Sequence, residues 1–191
     1  NEARAELENA SPQYLKKSFV AAGKNGIEEG TKAFLRTKGV SCFSEKNDDL
    51  LMWGHYGGRY KGFCLEFSTK HEAFQKARKV DYVPKPPTID LERVLTEGSD
   101  DLIQALFCTK SEAWKYENEW RIIHHEAGKQ YGYSPECLTG VYFGPDIDRQ
   151  SLEIVCLILK GQNTNAKLWL GKRSHTEFKV EFESFEYISH I

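Results

Sequence analysis

Two carboxylates and a guanidinium stand two residues apart near the middle of the chain. Glu117, Glu119 and Arg121 stand at every second position of the stretch 114–123, and large side chains at the alternate positions include Tyr116, Trp120 and Ile122. Side chains two apart on a strand point to the same face, so we expect the three charged groups to share one. In a cleft, one carboxylate could orient a hydroxyl while the other stabilises positive charge or acts as a base. The alternative is a buried ion-pair network in which Arg121 keeps the carboxylates ionised.

A second polar group surrounds a pair of glycines. His55 and Tyr56 precede the glycines at 57–58, and Tyr60 follows between two cations. Glycines allow a turn with positive φ, or a close backbone approach, and backbone N–H groups at such a turn can bind an anion. This composition suits a phosphate or nucleotide. The spacing is neither that of a P-loop nor that of a dinucleotide fingerprint, so a His-Tyr pair packed at a helix end is the alternative.

Glu66 is an exception in a strand predicted over residues 61–67. Phe63, Leu65 and Phe67 would lie on one face of this strand and Glu66 on the other. The Glu66 carboxylate therefore either faces solvent or enters the same polar pocket as the other acids. We include it, with Tyr56, Tyr60 and Arg121, among the predicted ligand-binding residues.

The elements that must position these groups indicate an α+β fold. Strand and helix patterns interleave without regular βαβ periodicity, so we predict a mixed, largely antiparallel sheet with several flanking helices, in one domain over residues 1–191. Helices are predicted to start at Pro12 after a Ser11 cap, and near Asp48 after Asn47. Others are predicted after Thr69, at Ser99, and after Asp146 or Asp148. Glycines between 23 and 30 are expected to divide the first helical region.

The composition favours an ordinary folded protein. Net charge is −2, so nothing global indicates nucleic acid or an anionic membrane as a partner. No apolar run reaches the roughly 18–20 residues of a membrane helix, and no signal peptide is visible. Five cysteines are scattered without metal-ligand spacing. Four of them lie in apolar runs and are predicted to be buried thiols in a reducing cytoplasm, namely Cys42, Cys64, Cys108 and Cys156.

Three sequence blocks together resemble a known family. They are Ser41-Cys-Phe-Ser44 with Leu51-Met-Trp-Gly-His-Tyr56 and Lys61-Gly-Phe-Cys-Leu-Glu-Phe67, then Lys110-x-x-x-Trp114-x-x-Glu117-x-Glu119-Trp120-Arg121, and finally Gly140-Val-Tyr-Phe-Gly144. Over roughly residues 40–160 the chain resembles the bacterial family catalogued as domain of unknown function 2971. The resemblance implies a setting near mobile elements and phage-defence genes. The family usually opens with a Phe-Asn-Asp-Pro-Phe type segment, which we expect either upstream of Asn1 or lost.

A fold-level analogy adds a reaction to this resemblance. ADP-ribosyltransferases place an Arg or His, an aromatic residue and a late Glu, often in a Glu-x-Glu pair, around NAD in a cleft beside a split sheet. The first hypothesis is therefore a phage-defence or toxin-type effector that acts on a nucleotide, with NAD as its substrate and no other cofactor assigned. Glu119 would be the catalytic carboxylate and Glu117 its helper, while His55 and Tyr56 would contact NAD. The analogy concerns the fold and does not establish activity.

Two other functions remain open. The chain could be a non-catalytic sensing or interaction domain whose Trp/Glu/Arg cluster is structural. It could also be a nuclease-like effector in which Glu66, Glu117 and Glu119 converge on Mg²⁺, because hard cations require several oxygen ligands. No metal site is predicted from His124-His125, because the two rings would lie on opposite strand faces and no third ligand has suitable spacing. The oligomeric state is left open.

Overall fold

A computed structural model describes residues 10–89, 100–162 and 165–188. Helices and strands interleave, and the sheets are mixed and mostly antiparallel, which confirms the predicted α+β class. The helices are α1 (Pro12–Thr37), α2 (Leu50–His55), α3 (Glu72–Gln75), α4 (Asp100–Phe107) and α5 (Arg149–Gly161). The strands are β1 (Gly39–Ser44), β2 (Phe63–Phe67), β3 (Arg78–Lys79), β4 (Asp81–Val83), β5 (Thr109–Ser111), β6 (Glu119–His124), β7 (Leu138–Phe143), β8 (Lys167–Arg173) and β9 (Val180–Phe185). Two 3-10 helices cover Glu112–Glu117 and Pro135–Cys137.

The first helix is longer than predicted. Its start is as expected, because α1 begins at Pro12 and the Ser11 hydroxyl accepts a hydrogen bond from the Tyr14 backbone N–H at 3.2 Å. The prediction of two short helices was wrong, since α1 continues through all of the glycines as far as Thr37. Each interior glycine costs a helix about 1 kcal/mol relative to alanine, which weakens the helix without breaking it. Within the described ranges, no helix is both long and apolar enough to cross a membrane.

Strand β6 is the centre of a three-stranded sheet. It pairs antiparallel with β1 on one side and with β3 on the other. The register places Cys42 opposite Arg121 and Ser44 opposite Glu119, so these four side chains share one face. Ile122 is on the other face, where it is buried against Phe74 and Cys137. The position of the charged residues of β6 is therefore set by a packed apolar surface behind them.

The second sheet has four strands in the order β2-β7-β8-β9. Strands β7 and β8 are parallel and the other pairs are antiparallel. A parallel pair needs a crossover connection, and here α5 provides it. The predicted cap at Asp148 is confirmed, because its carboxylate accepts the backbone N–H of Ser151 at 2.9 Å. The main core cluster joins β7 to α5 through Leu138, Val141, Phe143 and Cys156.

Two helix starts differ from the prediction. Helix α2 is capped by Asp49, whose carboxylate accepts the N–H groups of the next turn at 2.8 and 3.0 Å, and Asn47 is not the cap. Helix α3 follows His71 and not Thr69. Polar residues that can cap a helix are clustered at both places, so composition alone does not identify the one that does. The helical turn predicted near residues 90–95 and the Ser99 start lie outside the described residues.

Candidate functional site

The stretch 114–123 is not one continuous strand. The 3-10 helix ends at Glu117, Asn118 takes the left-handed conformation (φ 44°, ψ 52°), and β6 begins at Glu119. Asparagine is one of the few residues that adopt this conformation readily. The expectation of a shared strand face was therefore wrong for Glu117, whereas Glu119 and Arg121 do share one. The turn at Asn118 still brings both carboxylates to a single ammonium group.

Glu119 is buried and held by two cations. Arg121 donates to its two carboxylate oxygens through Nε at 2.8 Å and Nη2 at 2.9 Å, and Lys110 Nζ lies 3.2 Å away. Burial raises the pKa of Glu119, but hydrogen bonds from Arg121 and Cys42, with the charges of Arg121 and Lys110, outweigh burial and bring the pKa down to about 2. Glu119 is therefore a stable carboxylate at neutral pH.

Glu117 is even less accessible, with 2% of its surface exposed. One carboxylate oxygen forms an ion pair with Lys110, and the other accepts the Tyr56 hydroxyl at 2.9 Å. The Glu117 backbone carbonyl accepts the hydroxyl of Ser44 at 2.7 Å. The hydrogen bond to Glu117, together with burial, raises the pKa of Tyr56. Strand β1, the end of α2 and strand β5 thus all contact Glu117.

Lys110 is the residue that joins the two acids. It lies in β5, with its ammonium 4.9 Å from the centre of the Trp114 ring. Burial lowers the pKa of Lys110, but its bonds to Glu117 and Glu119 outweigh this and raise it. We call Lys110, Glu117, Glu119 and Arg121 the ion-pair cluster. Its two negative and two positive charges balance.

The ion-pair cluster is also saturated with hydrogen bonds. Arg121 Nη1 donates to the Phe107 carbonyl at 2.5 Å, and the Glu119 backbone N–H donates to the Tyr82 hydroxyl at 2.8 Å. In the part of the chain that the structure describes, no buried side-chain nitrogen or oxygen lacks a partner. Buried charges are tolerated when they are paired in this way. The arrangement fits a structural network that anchors β5, β6 and α2 to each other.

A groove lies beside this cluster, between the two larger sheets. Outer strands β1 and β2 contribute residues to it, as do α2 and α3, and its volume is about 1050 Å³. We call it the aromatic groove, because much of its lining is aromatic, including Trp53, Tyr56, Phe67, Phe74, Trp120 and Tyr142. Its polar lining includes Glu45, Lys46, Asn47, Glu66 and Gln75. A large, mostly apolar concave surface with a few polar groups is typical of small-molecule sites.

The predicted site residues divide between the cluster and the groove. Tyr56 and Glu66 line the aromatic groove. Glu117, Glu119 and Arg121 belong to the ion-pair cluster and do not line it. Tyr56 connects the two, because its exposed ring lines the groove while its hydroxyl reaches Glu117. The structure therefore does not place all of the predicted acids in one pocket.

The other two predicted residues lie away from the groove lining. His55 is exposed at the end of α2, with its ring edge against Tyr56. Tyr60 has a positive φ of 69°, and its hydroxyl donates to the Leu50 carbonyl at 3.0 Å. The predicted glycine turn is confirmed, because Gly58 has a φ of 58°. In this geometry Tyr60 stabilises the turn that follows α2.

Glu66 is exposed and lines the aromatic groove, but it does not share a pocket with Glu117 and Glu119. Its carboxylate lines the aromatic groove and accepts the Thr139 and Tyr142 hydroxyls, each at 2.5 Å. Burial and the bond to Glu66 raise the pKa of Tyr142 to about 12, so Tyr142 remains a donor. Gly140 lies opposite Glu66 in the register. A Cβ at Gly140 would approach the Tyr142 ring to 3.2 Å and Glu66 to 3.4 Å, so glycine makes room for this arrangement.

Comparison with known families agrees with the sequence motifs. The family model described as "Protein of unknown function (DUF2971)" matches residues 52–122. This segment belongs to the DUF2971 family. The DUF2971 segment runs from α2 into β6 and contains the whole ion-pair cluster, together with Tyr56 and Glu66. No curated protein and no solved structure matches the chain.

Several lining residues outside the DUF2971 segment were not predicted. Cys42 is exposed in outer strand β1 and faces the aromatic groove, so the prediction that it is buried was wrong, while Cys64 is half-buried. Although the residue as a whole is exposed, partial desolvation of its sulfur and the bond to Glu119 raise the pKa of Cys42 to about 11, so it is a poor nucleophile. Tyr142 could have been suspected from the Gly140–Gly144 block, but its partner Glu66 is 76 residues away.

A smaller cavity of about 370 Å³ lies on the other face of the three-stranded sheet, and most of the residues that line it lie outside the DUF2971 segment. Ser41 Oγ lies 2.8 Å from His124 Nε2 there, and the His124 ring stacks on Tyr131. Across residues 10–89, 100–162 and 165–188, no group of three or more His, Cys, Asp or Glu side chains is arranged to hold a metal ion. The groove is therefore the better-formed candidate site.

Proposed function

We propose that this chain is a nucleotide-binding sensor domain, with the nucleotide held in the aromatic groove and the ion-pair cluster supporting one wall. This proposal combines the predicted nucleotide ligand with the predicted non-catalytic domain. The observation that carries it is the groove itself, which is large, accessible and aromatic, while Glu117 and Glu119 are buried and fully paired.

The lining supplies the contacts that a nucleotide uses. Planar bases stack on aromatic side chains, a contact worth about 1–3 kcal/mol per base. Asn47 and Gln75 bring amide groups that can bond to the edge of a base, and Lys46 brings a cation suited to a phosphate. The volume of about 1050 Å³ is at the upper end of the range for small-molecule pockets. A base, a ribose and phosphates can be accommodated together.

Tryptophan indole signals offer a direct test. Of the four tryptophans, Trp53 and Trp120 line the groove, whereas Trp114 packs on Lys110. In a ¹H–¹⁵N spectrum, titration with NAD, ATP or ADP-ribose should shift the indole signals of Trp53 and Trp120 and leave that of Trp114 in place. The proposal fails if none of these nucleotides shifts either groove signal at millimolar concentration.

The position of Tyr56 favours a second proposal, in which the bound nucleotide is also cleaved. Its ring lines the groove and its hydroxyl touches Glu117, so displacing Tyr56 would open a route to the buried acid. ADP-ribosyltransferase-like chemistry would then break the N-glycosidic bond of NAD, release nicotinamide and transfer the ADP-ribosyl group to water or to a nucleophile of a target molecule. Incubation with NAD and chromatography separates the two proposals. Binding without nicotinamide release supports the sensor, while release that is lost in Glu117→Gln but kept in Glu183→Gln supports the enzyme. A role in phage defence and a cytoplasmic location remain predictions.

A further inference from the structure

Within the described ranges, Glu66 carries a negative charge that is not neutralised by a lysine or arginine, unlike the acids of the ion-pair cluster and the other acid that lines the aromatic groove. Glu117 and Glu119 are paired with Lys110 and Arg121, and Glu45 is paired with Lys79. No lysine or arginine in the described part of the chain forms an ion pair with Glu66. Its carboxylate is held by two neutral hydroxyls and is exposed.

The surroundings of Glu66 suit a cation. Aromatic ring faces attract positive charge, most strongly at desolvated sites. Tyr142, whose hydroxyl holds Glu66, lines the groove together with Trp53 and Tyr56. The remaining charged lining residues are Lys46 and the already paired Glu45. One unneutralised carboxylate in a groove lined by several aromatic rings is therefore complementary to a compact, positively charged ring or ammonium group.

We infer that the Glu66 end of the aromatic groove receives the positively charged nitrogen-containing part of the ligand, a pyridinium or alkylammonium group. This inference rests on the proposed nucleotide-binding function, since it uses the same groove. The two hydroxyl donors hold the carboxylate oxygens in fixed positions before the ligand arrives. Gly140 contributes because its missing side chain leaves space for the carboxylate beside Tyr142. Preorganised groups of this kind lose less entropy when a ligand binds.

NAD and NADH form a matched pair of probes. They share every group except the nicotinamide ring, which is a cation in NAD and neutral in NADH. The full chain should bind NAD about tenfold more tightly than NADH in calorimetry. Glu66→Gln keeps the shape and acceptor oxygen of the side chain and removes its charge, and it should abolish this preference. Glu183→Gln, at an exposed site in β9 outside the groove lining, should retain it.

Two small cations, 1-methylnicotinamide (methylated on the ring nitrogen) and benzyltrimethylammonium, separate the inference from the proposed function. If either binds and Glu66→Gln weakens its binding while no nucleotide binds, the inference holds and the nucleotide proposal fails. If the nicotinamide compound binds more tightly, the cationic group that the groove receives is a pyridinium. If benzyltrimethylammonium binds more tightly, the group is an alkylammonium. If NAD and NADH bind equally and Glu66→Gln changes neither, the nucleotide proposal survives and the cation inference is overturned. If none of these compounds binds, both the cation inference and the nucleotide proposal are overturned.

Discussion

Removing the charge of Glu119 should show how much the ion-pair cluster contributes to stability. In Glu119→Gln, Arg121 loses its buried carboxylate and Lys110 keeps only Glu117. The pKa of Glu119 falls from an ordinary 4.5 to about 2 in the folded protein. Because one pKa unit corresponds to about 1.4 kcal/mol, ionised Glu119 adds about 3 kcal/mol to the free energy of unfolding at neutral pH. Breaking a buried ion pair from one side costs a similar 3–5 kcal/mol.

The pH dependence follows from the direction of this change. Since the pKa is lower in the folded than in the unfolded state, the stabilisation is complete above about pH 4.5 and is lost as the pH falls toward 2. Urea unfolding of the wild type should therefore show stability falling across this window. Glu119→Gln should start about 3 kcal/mol lower at pH 7 and lose less on acidification, because it has no carboxyl at this position to protonate.

Glu183→Gln is the matched control for this experiment. Glu183 pairs with Lys172 across β8 and β9, but both side chains are more than half exposed. Exposed pairs contribute about 0–1 kcal/mol, so this change should hardly alter the urea midpoint at pH 7. If Glu119→Gln costs no more than Glu183→Gln, or if its stability falls as steeply with acid as that of the wild type, the cluster is not the stabilising network described here.

Two further substitutions test the same network and the turn beside the groove. Lys110→Met leaves Glu117 and Glu119 adjacent with only Arg121 to balance them, so the free energy of unfolding at pH 7 should drop by about 3–5 kcal/mol. A drop in urea unfolding no larger than that of Glu183→Gln contradicts this. Gly144→Ala would place a Cβ 2.1 Å from the Tyr60 carbonyl oxygen and should lower the melting temperature by several degrees. Gly161 lies at the end of α5, where an added Cβ would have no atom within 4 Å. Gly161→Ala should therefore raise the melting temperature slightly. Similar changes in melting temperature for the two glycine substitutions would refute the steric reasoning.

Features set by neighbouring residues could be predicted from sequence. The Ser11-Pro12 helix start, the Asp148 cap and the glycine turn at 57–58 each depend on a few adjacent positions, and all three are confirmed. The glycines inside α1 misled the prediction because a propensity cost of about 1 kcal/mol was treated as a break. The same local reasoning assigned Glu117 to a strand, because nothing in the sequence showed that Asn118 would take a left-handed conformation.

Features that depend on distant contacts could not be predicted. Glu117 bonds to Tyr56, which is 61 residues earlier, and Glu66 bonds to Tyr142, which is 76 residues later. Those partners decide which acid is buried and which is accessible. The sequence analysis ranked Glu119 above Glu66 as a site residue, whereas in the structure Glu66 lines the groove and Glu119 does not.

The contact between Tyr56 and Glu117 links the stability of the charged interior to the contents of the groove. The Tyr56 ring lines the groove and its hydroxyl ends on a buried carboxylate. A bound molecule that moves this hydroxyl removes a donor from Glu117, whose carboxylate keeps its ion pair with Lys110. Thermodynamic coupling is reciprocal, so a substitution that weakens the ion-pair cluster would in turn alter the affinity for that ligand. A single phenol thus couples the groove to the charged interior, although no residue of the ion-pair cluster lines the groove.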